Sequence, residues 1–158
     1  MQLDQRLRFD SYVVGAGNRL AVAAARAVAE SPGSVYNPLF IYGGAGLGKT
    51  HLLGGIGRLA EALQENLEIE YLSLEEFVDQ LHAAISAGQL EAFSSRYERV
   101  GLLLIDDVQF LTGRRETQAA LLKLFERMQR AGGQIVLTSD RPPSEISDVD
   151  ERLISRLS

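Results

Sequence analysis

Leu39-Phe40-Ile41-Tyr42-Gly43-Gly44-Ala45-Gly46-Leu47-Gly48-Lys49-Thr50 is the stretch that decides how this chain is read. Its four leading apolar residues predict a short buried strand. From Gly43 to Thr50 the sequence fits G-x-x-x-x-G-K-[ST]. It then enters His51 to Gln64, where Leu52, Leu53, Ile56, Leu59 and Leu63 recur at helical spacing. Strand, glycine loop and helix in that order are the context a phosphate-binding P-loop requires. Glycines let the backbone wrap phosphate oxygens, so that several N–H groups point inward at the start of the following helix. In such a loop Lys49 reaches the β- and γ-phosphates and the Thr50 hydroxyl ligates Mg²⁺. His51 directly follows and is grouped with the nucleotide-contacting positions. As a lone histidine it reads as a packing or hydrogen-bonding residue rather than a catalyst.

Working outward, Leu20 to Glu30 is alanine-rich and helix-prone, and Ser31-Pro32-Gly33 stops it. Ile69 to Ser73 predicts a second strand, and Leu74 to Val100 predicts helical material broken near Ala87-Gly88-Gln89. Leu102 to Ile105 predicts a third strand, Thr117 to Gln129 a helix, and Gln134 to Thr138 a fourth strand ended by Arg141-Pro142-Pro143. Four strands separated by helices predict an α/β fold: three layers, with a parallel sheet covered by helices on both faces.

In such a sheet, ligands bind off the carboxyl ends of the strands. Asp106 and Asp107 close the strand Leu102 to Ile105 and so can reach the P-loop crevice. Asp106 suits Mg²⁺, and Asp107 suits orienting or deprotonating an attacking water. Thr138-Ser139-Asp140 ends the next strand and can set a polar group beside the γ-phosphate. Arg152 and Arg156 are spaced i, i+4, and on their own they read as surface arginines.

Composition removes other classes. The 158 residues contain no Cys, which excludes a disulfide scaffold, a Cys-ligated zinc site and thiol catalysis. Two histidines, His51 and His82, leave little for a multi-His metal site. The longest apolar stretches fall far short of the roughly 18 residues of a membrane helix. No signal-peptide layout opens the sequence, so the expected location is the cytoplasm. The net charge of −5 is unevenly spread. Residues 57–93 hold one basic and eight acidic side chains, a local −7, against +2 before them and 0 after. A uniformly basic nucleic-acid binder is excluded, whereas a locally basic face is not.

The GTPase N-K-x-D and the transporter L-S-G-G-Q are both absent, and no Arg-rich lid typical of small-molecule kinases follows the third strand. An additional-strand ATPase remains. The sequence resembles the ATPase domain of the DnaA family of bacterial replication initiators, within the AAA+ superfamily. The matching strings are Phe9-Asp10-Ser11-Tyr12-Val13-Val14-Gly15 with Asn18-Arg19, and Tyr36-Asn37-Pro38 through Leu53. Further matches run over Leu104-Ile105-Asp106-Asp107-Val108-Gln109-Phe110-Leu111, then Ser139 to Pro143 and Asp150 to Arg156.

The resemblance implies roles that spacing alone does not. Val13, Val14, Gly15 and Asn18 match the element that packs on adenine, and Asp140 matches the sensor of the γ-phosphate. Arg156 matches the arginine finger that completes a neighbour's ATP site. Residues 74–100 match the helical insertion that faces single-stranded DNA, with Arg96 and Arg99 as its remaining cations. Their acidic surroundings predict weak, salt-sensitive binding. The resemblance further implies ATP or ADP with Mg²⁺ as cofactors and a nucleoid-associated location. It also implies ATP-dependent self-assembly into an oligomer or filament, action on single- and double-stranded origin DNA, and a replicative helicase as partner through domains outside this sequence. The family's fifth core strand, lid and helix-turn-helix domain are not matched, so the P-loop strand is expected to have an open edge and the fragment marginal stability or strand-mediated pairing. A helicase loader or a nucleotide-switch adaptor is the alternative reading.

Overall fold

A computed structural model describes residues 12–16, 19–34, 36–44 and 46–158. Five strands are described: β1 (Tyr12–Gly15), β2 (Leu39–Tyr42), β3 (Ile69–Ser73), β4 (Leu102–Asp106) and β5 (Gln134–Ser139). They form one parallel sheet in the order β1-β2-β5-β4-β3. The helices are α1 (Arg19–Glu30), α2 (Gly46–Leu63), α3 (Leu74–Ser86), α4 (Leu90–Arg96), α5 (Arg115–Arg130) and α6 (Glu151–Leu157).

Period-two alternation along the strands builds the three layers. Leu39, Ile41, Leu102, Leu104 and Val136 pack with Ala21, Ala24, Val28, Leu53 and Ile56 of α1 and α2 on one face. Phe40, Leu103, Ile105, Ile135 and Leu137 point the other way, into Phe77, Leu81, Leu121, Leu124 and Leu153 of α3, α5 and α6. A strand buried on both faces has no polar side to show, which is why β4 reads as an unbroken apolar run.

The expected open edge of the P-loop strand is absent. Tyr12–Gly15 pairs in parallel with Leu39–Tyr42 and fills it. The β-branched pair Val13-Val14 suits that position: Val14 is buried against α1 and α2, and Val13 packs toward the opposite core. The sheet therefore has five strands, and β1 replaces the P-loop strand at the edge.

Local chemistry sets the other boundaries. Ser73 ends β3 and caps α3: its Oγ accepts from the Glu76 N–H at 3.1 Å while the Glu76 carboxylate accepts from the Ser73 N–H at 2.9 Å. The predicted break at 87–89 falls between α3 and α4, where Gly88 adopts a left-handed φ of 69°. The Asn37–Pro38 peptide is cis. The buried Asn37 side chain donates to the Gly133 carbonyl at 2.7 Å and accepts from the Ile135 N–H at 3.1 Å, which ties the starts of β2 and β5 together. No described helix is long and apolar enough to cross a membrane.

Candidate functional site

The sheet register brings distant residues to one place. Ser73 is opposite Asp106, Ile105 is opposite Leu137, and Tyr71 is opposite Leu104. By alternation, Tyr71, Asp106 and Thr138 all face the layer that holds α2. Asp106 is buried there and accepts three hydroxyls. Thr50 donates to Oδ2 at 3.0 Å, Tyr71 donates to the same oxygen at 3.2 Å, and Thr138 donates to Oδ1. Burial first and the Asp106 carboxylate second push the Tyr71 phenol up to about 12, which keeps it a donor.

The loop surrounds this cluster. α2 begins at Gly46, inside the glycine run and earlier than its apolar periodicity predicts, so its first turn carries unpaired N–H groups toward the crevice. Lys49 is 2% exposed, and its ammonium donates to the Gly43 carbonyl at 2.6 Å. A Cβ at Gly44 or Gly48 would meet no atom within 4 Å, so the space beside both is open to a ligand. Gly43 is the crowded member: a Cβ there would lie 3.3 Å from that of Ala16, just past β1. The Ala16 N–H donates to the Tyr42 carbonyl at 2.7 Å. Val13, Val14 and Gly15 therefore run beside β2 up to the start of the loop, while Asn18 and Ala45 lie outside the described residues. Thr50 and His51 are exposed on the first turns of α2.

Asp107 leaves β4 in the left-handed region, φ 63° and ψ 50°, a conformation Asp tolerates better than most residues. Its N–H donates to the Thr138 hydroxyl at 3.0 Å, and its carboxylate accepts from Gln109 Nε2 at 3.3 Å. At the end of β5, Asp140 is gripped by a two-pronged bond from Arg141, at 2.6 and 3.0 Å. That fork, aided by the Lys49 charge, holds the Asp140 carboxyl below its ordinary range against a smaller opposing effect of burial.

The donor set fits both implied groups. Helix N–H groups, a lysine and open glycine faces suit a polyphosphate. The Thr50 hydroxyl and Asp106 carboxylate, 3.0 Å apart, are adjacent hard oxygen ligands of the kind Mg²⁺ takes.

Two sets of expected residues lie elsewhere. The Arg156 guanidinium donates to Gln129 at 2.6 Å and Glu126 at 3.1 Å, and Gln129 in turn donates to the Asn37 carbonyl. Asn37 precedes β2 and the P-loop follows it, so Arg156 sits at the opposite end of the sheet from Lys49. Arg96 is forked onto Glu70 at 3.0 and 3.2 Å and also donates to Gln80 and Tyr97, whereas Arg99 is exposed. Sequence reading misses Tyr71, Gln109 and Arg141 and gives Thr138 no partner. The register between β3, β4 and β5 is the signal that finds Tyr71 and the Thr138–Asp106 bond.

This geometry agrees with comparisons to known proteins. The family model of the bacterial DnaA ATPase domain matches residues 3–158. The chain belongs to that family. A DnaA initiator of Thermus thermophilus is 48% identical over 155 residues, covering 98% of this chain and 36% of the relative. The crystal structure of DnaA domain III from Thermotoga maritima superposes with a TM-score of 0.85 at 45% identity, over 90% of this chain and 59% of that one. A DnaA bound to AMPPCP and single-stranded DNA gives 0.83 at 40% identity, over 89% and 44%. The chain thus spans about a third of the length of the curated DnaA proteins it matches.

Proposed function

We propose that this DnaA-family domain binds ATP or ADP with Mg²⁺, hydrolyses ATP slowly, and serves a replication initiator that self-assembles on origin DNA. The observation that carries the reading is the convergence of Lys49, Thr50 and Asp106 at the mouth of the glycine loop. ATP is the substrate, and the loop N–H groups from Gly43 to Thr50 and the Lys49 ammonium hold its phosphates. Thr50 and Asp106 would hold Mg²⁺, which offsets phosphate charge when bound. Val13, Val14, Gly15 and Asn18 are assigned to the base, and His51 to the nucleotide site, on the family's sequence pattern.

In hydrolysis a water oxygen bonds to the γ-phosphorus, the bond from that phosphorus to the β–γ bridging oxygen breaks, and Asp107 takes the water proton. Asp140 reports the γ-phosphate at the end of β5. Arg156 acts on the nucleotide of a neighbouring copy, a role supported by its distance from its own loop. Arg96 and Arg99 give weak contacts to single-stranded DNA. Location at the nucleoid and delivery of a helicase follow from the same reading of the whole protein.

The test is nucleotide-dependent thermal stabilisation. MgATP raises the melting temperature of the wild-type protein, and Lys49→Ala abolishes most of that rise. A wild-type protein indifferent to ATP and ADP overturns the reading.

A further inference from the structure

One side chain in the crevice touches both carboxylate-bearing strand ends without bearing a charge. Gln109 lies in the turn Val108–Leu111, whose Val108 and Leu111 are buried and anchor it. Its Nε2 donates to Asp107 Oδ1 at 3.3 Å, and its Oε1 accepts from the Asp140 N–H at 3.1 Å. The direction of this bridge is chemically fixed. A carboxylate only accepts and a backbone N–H only donates, so a flipped amide would lose both bonds.

We propose that Gln109 is a positioning residue that couples the Asp107 carboxylate to the end of β5 at Asp140, an inference that rests on the ATP-hydrolysing reading of the site. The backbone of Asp107 is fixed by the Thr138 hydroxyl, but that bond leaves the side-chain torsions of Asp107 free. Gln109 supplies the restraint. It takes its own reference point from Asp140, whose carboxylate is locked to Arg141 and lies near enough to Lys49 to feel its charge. A displacement of the β5 end by a bound γ-phosphate is therefore passed to Asp107 through one amide. The residue that activates water is aimed when the sensing strand is in register and loses its aim when it is not. Gln109 does not contact the P-loop among the described bonds, so it acts on orientation rather than on nucleotide affinity.

Two substitutions of similar size test this in the full-length protein. Gln109→Met removes both bonds. Gln109→Glu keeps an acceptor for the Asp140 N–H but sets a carboxylate where Asp107 needs a donor. Both are expected to lower kcat for MgATP by about 10- to 100-fold, the scale of misaligning a reacting group. KM and the ATP-dependent thermal shift stay within about twofold. If Gln109→Met melts too low to assay, Gln109→Glu decides the outcome. Wild-type kcat in either folded variant overturns the proposal, and so does a loss explained wholly by weaker ATP binding. A wild-type protein that fails to bind or turn over ATP is a different result: it removes the functional reading and this role with it.

Discussion

The mouth of the glycine loop, at the ends of β2 and β4, and the helical stretch 74–100 treat charge in opposite ways. At the strand ends, Asp106 is held by three neutral hydroxyls, Asp107 by an amide and a left-handed turn, and Lys49 by a backbone carbonyl. No described ion pair involves any of the three. In and around α3 and α4, Glu75, Glu91, Arg96 and Glu98 each face an opposite charge, while Glu76, Asp79 and Arg99 enter no described ion pair. Arg96 pairs with Glu70, Arg127 with Glu91 and Glu98, Arg114 with Glu75, and Lys123 with Glu91. The exposed ones among them, Arg114–Glu75 and Lys123–Glu91, add little stability each. Their consequence is electrostatic: a charge oriented by neutral groups keeps its field for a ligand, whereas a charge matched by its opposite has little left to offer.

The largest effect should come from removing charge where it is unmatched. Asp106→Asn keeps the shape of the cluster but substitutes a neutral group that can accept fewer of the three hydroxyls. The Mg²⁺-dependent part of ATP affinity should fall by about 10- to 100-fold, in line with charge-assisted bonds worth roughly 1.5–3 kcal/mol. Titration calorimetry with and without Mg²⁺ measures it. An unchanged Mg²⁺ dependence would show that Asp106 is only a hub for hydroxyls.

The same contrast explains what is legible in the sequence. β2 and β3 fall on their predicted residues, and β4 and β5 run one residue further, because buried parallel strands are short apolar runs bounded by polar ones. The P-loop and the acid pair are local strings and can be read directly. β1 does not announce itself as a strand by its pattern: four residues give no period, and its partner lies 27 positions later at Leu39. Thr138, Tyr71 and Gln109 meet the acids only through sheet register and turn geometry, which no local window encodes. Arg96 looks available to DNA in the sequence because Glu70, 26 residues away, is adjacent only across the fold.

A smaller effect should follow from freeing a matched charge. Glu70→Gln leaves Arg96 its bonds to Gln80 and Tyr97 but removes its charged partner. Affinity for a single-stranded oligonucleotide should rise by about two- to fivefold. The slope of log K against log salt should steepen by about 0.7, the value for one further phosphate contact on a single strand. Fluorescence anisotropy over a salt series reads both quantities. If neither moves, Arg96 is structural and the proposed contact to single-stranded DNA is left to Arg99.

The smallest effect lies beneath that ion pair. Tyr97 is fully buried, its ring 5.5 Å from Phe93 and 6.5 Å from Phe77 between centroids, and its hydroxyl accepts from Arg96 at 3.0 Å. Burial, reinforced by Glu70 and opposed by Arg96, pushes its phenol up to about 12. A phenol raised above its unfolded value of about 10 contributes stability that is fully present below pH 10 and lost as the pH climbs toward 12, because the unfolded chain gives up that proton first. Tyr97→Phe should therefore cost about 1 kcal/mol at neutral pH, the worth of one hydrogen bond. It should also decline less steeply than wild type above pH 10, so that the gap narrows, although Tyr71 keeps some alkaline sensitivity in both. Denaturant unfolding at pH 7 and near pH 11 makes the comparison. A gap of constant size across that range would mean that the fold does not hold the Tyr97 phenol protonated beyond its unfolded value.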